Sequence, residues 1–172
     1  MEKIAYQGQF IRVTEEIIAD NMYERAYLKS SVTILALTED HRILFIKEKR
    51  PHEKPTERWK LVTGFYEDGQ NLMQNVNREL QEEIGKKALS VTPYLTIHSS
   101  GTLVQTQYLA LARDLIDSKL PNPDGEDTIL AIQSLSLEET LARTLSGEFS
   151  RGMTGYALLR LYYDVQNGHI TL

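Results

Sequence analysis

The chain has 172 residues, 41% of them hydrophobic and 25% charged, which describes one folded domain with a sizeable core. A formal net charge of −5 argues against a general nucleic-acid or membrane-surface binder, while leaving room for an anionic ligand whose charge is met by metal ions. The absence of cysteine excludes disulfides, thiolate nucleophiles and zinc-thiolate sites.

The N-terminal stretch MEKIAYQGQF lacks the apolar core of a signal peptide, and no run approaches the roughly 20 apolar residues of a membrane span. The expected compartment is the cytoplasm. Lys3 to Val13 and Met22 to Leu28 are rich in aromatic and β-branched residues and flank the turn cluster Ala19-Asp20-Asn21, so residues 1–30 are expected to form a strand pair. Ser31 to Thr38 and Ile43 to Arg50 read as the next two strands. The apolar run in the first of these predicts that both of its faces are covered. Pro51 to Pro55 is a surface loop leading into a short strand, Trp59 to Val62. Gly64 then opens a loop with a turn signal at Asp68-Gly69.

A helix is expected from about Asn71 to Gly85, where glycine suits the left-handed cap and Lys86 and Lys87 suit the negative end of the helix dipole. Leu89 to His98 and Leu103 to Arg113 read as strands around Ser99-Ser100-Gly101. A polar segment, Asp114 to Asp127, follows and is long enough to be functional. Ile129 to Leu135 is a strand, and Ser136-Leu137-Glu138-Glu139 fits a capping box that starts a helix to about Leu145. A last helix runs from about Gly152 to Asp164. No internal repeat or interdomain linker is present, so residues 1–172 read as a single domain.

The helix after Gly64 concentrates the chemistry. At about 100° per residue, Leu72, Val76, Leu80 and Ile84 form an apolar stripe, while Glu79, Glu82 and Glu83 stand on neighbouring turns beside it. Like charges at that spacing oppose one another by a few tenths of a kcal/mol, and burial raises the cost unless a cation is shared. Most acidic runs are solvated faces. Here the spacing around the run argues otherwise.

Gly64, five residues, Gln70, seven residues, Arg78-Glu79-Leu80, one residue, Glu82-Glu83, one residue, Gly85 closely resembles the Nudix hydrolase signature GX5EX7REUXEEXGU, with U aliphatic, at seven of its nine defined positions. The resemblance implies a Nudix-type α/β/α sandwich around a mixed β-sheet and hydrolysis of a diphosphate linked to another moiety. Its cofactor would be Mg²⁺ or Mn²⁺. Hard divalent ions take carboxylate oxygens and share their shell with substrate phosphates. By position, Glu79, Glu82 and Glu83 are the implied metal ligands, Glu83 a catalytic one, with the carbonyl of Thr63 as an extra ligand. Gly64, Gln70, Arg78 and Gly85 support the site, Arg78 by orienting the glutamates. Two positions depart from the pattern, Gln70 for glutamate and Lys86 for an aliphatic residue. Gln70 is expected to keep a hydrogen bond to Arg78 without the charge-assisted part.

The outer parts of the chain are similar to ADP-ribose and nucleoside diphosphate sugar pyrophosphatases. That likeness implies substrate contact by Arg50, a catalytic base at Glu126 with Asp124 second, a small-molecule nucleoside diphosphate substrate, and a homodimer using the N-terminal strands. Gln105 and Gln107 stand where that group often has an acid, which bears on the number of metals. Trp59 and the tyrosines are candidates for stacking a nucleobase, with core packing as their other role. The histidines at 41, 52, 98 and 169 lack metal-ligand spacing. Isopentenyl diphosphate isomerases share the fold but use a cysteine. The rival reading is a catalytically weak Nudix-fold protein that binds a nucleotide as a sensor or regulator.

Overall fold

A computed structural model describes residues 1–123, 128–150 and 152–172. In chain order its elements are β1 Lys3–Gln7, β2 Ile11–Ile18, β3 Asn21–Leu28, β4 Ser31–Ala36, β5 Ile43–Lys49, β6 Glu57–Lys60, β7 Val62–Phe65, α1 Leu72–Ile84, β8 Lys86–Ser100, β9 Leu103–Asp117, β10 Ile129–Leu135, α2 Leu137–Leu145 and α3 Gly152–Gln166. Among the described residues, no helix is long and apolar enough to cross a membrane.

Seven strands make a mixed sheet in the order β1-β2-β3-β9-β4-β7, with β8 paired to β9. The long β9 runs parallel to β3 and to β4, and the other pairs in this sheet are antiparallel. The remaining strands form a separate antiparallel sheet, β10-β5-β6.

Alternation along β4 builds two cores at once. Val32, Ile34 and Ala36 turn to one face, where they meet Val76, Leu80 and Ile84 of α1. Leu35 and, just past the strand, Leu37 turn to the other face, where they join Phe45, Leu61, Phe149, Leu158 and Leu161. This is why the β4 run is almost wholly apolar. The stripe expected on α1 is the one that is buried, with Val76 and Leu80 fully enclosed.

Several expected boundaries shift. The N-terminal strand pair is a three-stranded meander, because Gly8 to Phe10 turn the chain between β1 and β2. The strand expected at Trp59 to Val62 divides at Leu61, with β6 in the small sheet and β7 in the large one, so Gly64 lies in a strand and not in a loop. Lys86 and Lys87 belong to β8 and not to the helix end, because Asn77 Nδ2 donates to the Ala88 carbonyl at 3.0 Å and Asn77 Oδ1 accepts from the Ala88 N–H at 2.7 Å. The first part of the polar segment, Asp114 to Asp117, continues β9 against Lys86 to Leu89, and Lys86 Nζ pairs with Asp117 at 2.6 Å. Helix α2 carries the expected box at Ser136 and Glu139. Buried Asp164, near the end of α3, accepts from Tyr94 and Arg160 and pairs with His169, tying the C-terminal tail to the body.

Candidate active site

Helix α1 begins with a capping box in which Asn71 Oδ1 accepts from the Gln74 N–H and the Gln74 side chain accepts from the Asn71 N–H. It ends at Gly85, whose φ of 67° lies in the left-handed region that glycine enters without a Cβ penalty. The loop between β7 and α1 is held by Asn75, which is fully buried. Its Oδ1 accepts from the Glu67 N–H at 2.7 Å, and its Nδ2 donates to the Asn71 carbonyl at 3.1 Å and, at 3.4 Å, to those of Glu67 and Gln70.

That arrangement corrects the role expected of Gln70. Its carbonyl accepts from the Tyr66 hydroxyl and from Asn75, whereas its side chain makes no bond to Arg78. Arg78 reaches the strand itself, with Nη2 donating to the Phe65 carbonyl at 2.7 Å. Its Nη1 lies 2.7 Å from Glu79 Oε1 and 3.5 Å from Glu82 Oε2, so one guanidinium joins two of the three box glutamates to β7. Arg78 therefore makes the contacts that the orienting role expected of it would need.

Gly64 has a steric reason to be glycine. A Cβ built there would stand 1.9 Å from the Glu79 Cδ and 2.0 and 2.1 Å from its oxygens. The strand is hollowed to admit a carboxylate, leaving Glu79 only 7% exposed. Burial raises the Glu79 carboxyl to about 7, against the pull of Arg78 and with repulsion from Glu82 assisting. Burial likewise raises Glu83 to about 8, against the pull of Lys60 and with repulsion from Glu79 and Glu48 assisting. Glu83 Oε2 is buried and has no hydrogen-bond partner.

The facing wall comes from the small sheet. In β5, Ile46, Glu48 and, just beyond the strand, Arg50 share one face by the period of two. The register Ile46 to Lys60 and Glu48 to Arg58 places Lys60 and Arg58 on that same face. Glu48 is buried and is met by three cations, Arg50 Nη2 at 2.9 Å and Lys60 Nζ at 3.0 Å on Oε1, and Arg58 Nη2 at 3.9 Å from Oε2. Its burial acts to raise the carboxyl, but Arg50 and Lys60 outweigh this and hold it below the ordinary glutamate value. Lys60 Nζ also donates to Thr63 Oγ1 at 2.9 Å and lies 3.9 Å from Glu83 Oε1, which links the two walls.

Between the walls lies a cleft of about 1070 Å³. Thr63, Gly64, Arg78, Glu79, Glu82 and Glu83 line one side and Arg50 the other. Gln70 and Gly85 are not on its surface; both act at the ends of the supporting loop and helix. The proposed base Glu126, like Asp124, lies outside the described residues. Trp59 and His52 line the cleft, whereas Gln105 donates to the Lys29 carbonyl and Gln107 faces the cleft as a neutral amide. Phe10, from the turn between β1 and β2, stacks on Phe65 with ring centroids 5.5 Å apart, so the N-terminal meander reaches the cleft rim.

The donor set fits a hard divalent ion. Three carboxylates converge on the cleft, burial raises two of them well above the ordinary glutamate value, and one has a buried oxygen without a partner. Among the described residues no three such groups are already drawn to metal-binding distance, since Arg78 and Lys60 occupy their oxygens. An entering ion competes with those two cations.

The model of the NUDIX domain matches residues 28–154, three quarters of the chain. The chain belongs to the Nudix family. It is a Nudix hydrolase, of a class acting on phosphorus-containing anhydrides. The matched residues take in the box helix and the facing sheet, leaving out nearly all of the N-terminal meander, with Gln9 and Phe10 of the cleft rim, and all but the first turn of α3. Among solved structures, an ADP compounds hydrolase superposes with a TM-score of 0.79 at 16% identity, covering 99% of this chain and 95% of that one. A MutT structure described for Aliivibrio salmonicida and Vibrio cholerae gives 0.51 at 17% identity, covering 64% and 82%. At these identities the likeness is one of fold. No curated protein sequence matches the chain.

Glu48, Lys60 and Asn75 are the site residues that motif reasoning missed. The one signal for the first two is a charged residue at Glu48 on the strand face that also carries Ile46, which asks for buried cations nearby.

Proposed function

We propose that this Nudix hydrolase cleaves the diphosphate of a nucleoside diphosphate sugar or of ADP-ribose, giving a nucleoside monophosphate and a sugar phosphate, with Mg²⁺ or Mn²⁺. The observation that carries the reading is the opposition of two walls, box glutamates on one and the cations gathered by Glu48 on the other, across a cleft large enough for a dinucleotide-sized ligand. The fold shared along almost the whole chain with an ADP compounds hydrolase supports the substrate class.

In this mechanism Glu79, Glu82 and Glu83, with the Thr63 carbonyl, hold the metal. When bound, divalent ions offset charge on the diphosphate and lower the pKa of an attacking water. Arg78 keeps Glu79 and Glu82 aimed at the cleft. Arg50 pairs with a substrate phosphate from the opposite wall, where Glu48 fixes its guanidinium. Glu126 takes the proton of the attacking water. Trp59 and the Phe10–Phe65 pair offer aromatic faces at the cleft for the base. The protein works as a homodimer through the β1–β3 meander, which exposes Tyr6, Ile17 and Met22 on one face and Ile4, Ile18 and Tyr23 on the other.

The test is a panel of ADP-ribose, GDP-mannose, UDP-glucose, NADH and nucleoside triphosphates, assayed for released phosphate ester with Mg²⁺ or Mn²⁺. Turnover is expected with one of the first three. Tight binding of a nucleotide without product at any metal concentration would establish the sensor reading instead. The motive for that rival weakens once Asn75 is seen to secure the loop that Gln70 does not.

A further inference from the structure

Lys60 is a buried charged group in the cleft that the mechanism above leaves without a task. Its Nζ lies 3.0 Å from Glu48 Oε1, 2.9 Å from Thr63 Oγ1 and 3.9 Å from Glu83 Oε1, and the residue is 6% exposed. Burying an ammonium is costly without a compensating anion. Glu48 is that anion, yet Arg50 and Arg58 already stand against it. Arg58 is matched more closely by Glu53, 2.8 Å from its Nη1, but Glu48 Oε1 is still shared between Arg50 and Lys60, and the other carboxylate beside Lys60 is Glu83 at 3.9 Å.

The position of Lys60 is set by the fold and not by a flexible reach. It stands opposite Ile46 in the β5–β6 register, one residue before the chain crosses from the small sheet to the large one. Thr63, two residues into β7, receives its hydrogen bond. The ammonium therefore sits at the joint between the sheets, beside one oxygen of Glu83, while the other oxygen is buried without a partner. A divalent ion bound near Lys60 would face a fixed like charge in a site of low polarity, where repulsion is poorly screened.

We propose that Lys60 is a positioning residue that acts as a built-in cation at the Glu83 end of the acid cluster, so that the native chain binds fewer divalent ions than its carboxylates would otherwise hold. The inference rests on the metal-dependent reading of the same site. It assigns to this chain a lower metal count, with the unpartnered Glu83 oxygen, Glu79 and Glu82 left to share the ions that do bind.

The experiment is a calorimetric titration of the full chain with Mn²⁺ in the absence of substrate, with free Mn²⁺ counted by electron paramagnetic resonance. Native protein is compared with Lys60→Gln and with the charge-retaining Lys60→Arg, each first shown to be folded by circular dichroism. Lys60→Gln is expected to bind one more Mn²⁺ per chain, or to bind Mn²⁺ at least tenfold more tightly, with Lys60→Arg matching the native protein. If Lys60→Gln does not fold, the double variant Glu48→Gln/Lys60→Gln removes both members of the buried pair and is expected to show the same gain at Glu83. Equal counts and affinities within twofold in the native and neutral variants overturn the role of Lys60 and leave the proposed hydrolysis standing. Failure of every variant to bind Mn²⁺ overturns both, and product formation without any metal overturns the metal-dependent reading separately.

Discussion

Replacing Gly64 by alanine is the sharpest test of the carboxylate cradle. The added Cβ would lie 1.9 Å from the Glu79 Cδ, so that carboxylate must retreat by roughly 1.5 Å to regain an ordinary contact of about 3.5 Å. The strand backbone can stay in place, because the clashing atoms are the far end of a side chain. Retreat stretches the 2.7 Å contact with Arg78 but also relieves the burial that raises the Glu79 carboxyl to about 7. These effects oppose, and the net change in folding stability is expected within about 1 kcal/mol. Function has no such compensation. A displacement of about 1 Å in a catalytic group costs on the order of 100-fold in rate, and loss of one well-placed ligand is expected to weaken Mn²⁺ binding about tenfold or more. Urea unfolding, Mn²⁺ titration and turnover on the best substrate of the panel measure the three quantities on one preparation. A Gly64→Ala variant that keeps native Mn²⁺ affinity and more than a third of native turnover would refute the assignment of Glu79 to the site.

Three further outcomes follow from the same geometry. Asn75→Ala removes a buried amide that ties the loop to α1, and is expected to cost about 2 kcal/mol by urea unfolding, from two hydrogen bonds worth about 1 kcal/mol each; a loss under 0.5 kcal/mol, taken as roughly the noise of a surface substitution, would mean the loop is held otherwise. Glu83, raised to about 8 by burial, and Glu79, raised to about 7, favour their neutral forms in the metal-free fold. Their contribution is therefore fully present below the unfolded glutamate value near 4.5 and lost as pH rises through 7 to 8. Metal-free protein should lose on the order of 6 kcal/mol between pH 5 and pH 8, recovered by added Mn²⁺; stability that is flat or rises across that window would contradict the buried placement. Glu83→Gln should abolish turnover with the fold intact and flatten that slope. Native activity in this variant would show that Glu83 does not hold metal.

The box was legible because its logic is local. The apolar stripe Leu72, Val76, Leu80 and Ile84, the cap at Asn71 and the left-handed Gly85 all depend on residues within one helix, where 3.6-residue periodicity fixes which side chains share a face. The same holds for Ser136 and Glu139 at the start of α2. The fold class followed from the family resemblance that the motif carries, and the doubly apolar run of β4 agreed with it. The three-stranded N-terminus was harder, since the turn at Gly8 to Phe10 interrupts a stretch of continuous strand propensity.

The opposite wall of the cleft belongs to tertiary structure. Glu48, Arg58 and Lys60 meet because β5 and β6 pair in one register, and that sheet faces α1 only after the chain crosses at Leu61 into β7. No spacing in the sequence distinguishes Lys60 from any other lysine on a strand. Gln70 shows the same limit from the other direction, as its substitution read as a weakened support while Asn75, five residues on, already secured the loop from inside the helix. By itself the sequence determined an acidic helix with the spacing of a metal cradle. Only the packing of two sheets decided which cations stand against it, because burial and pairing across long sequence separations are what set the charge of a carboxylate.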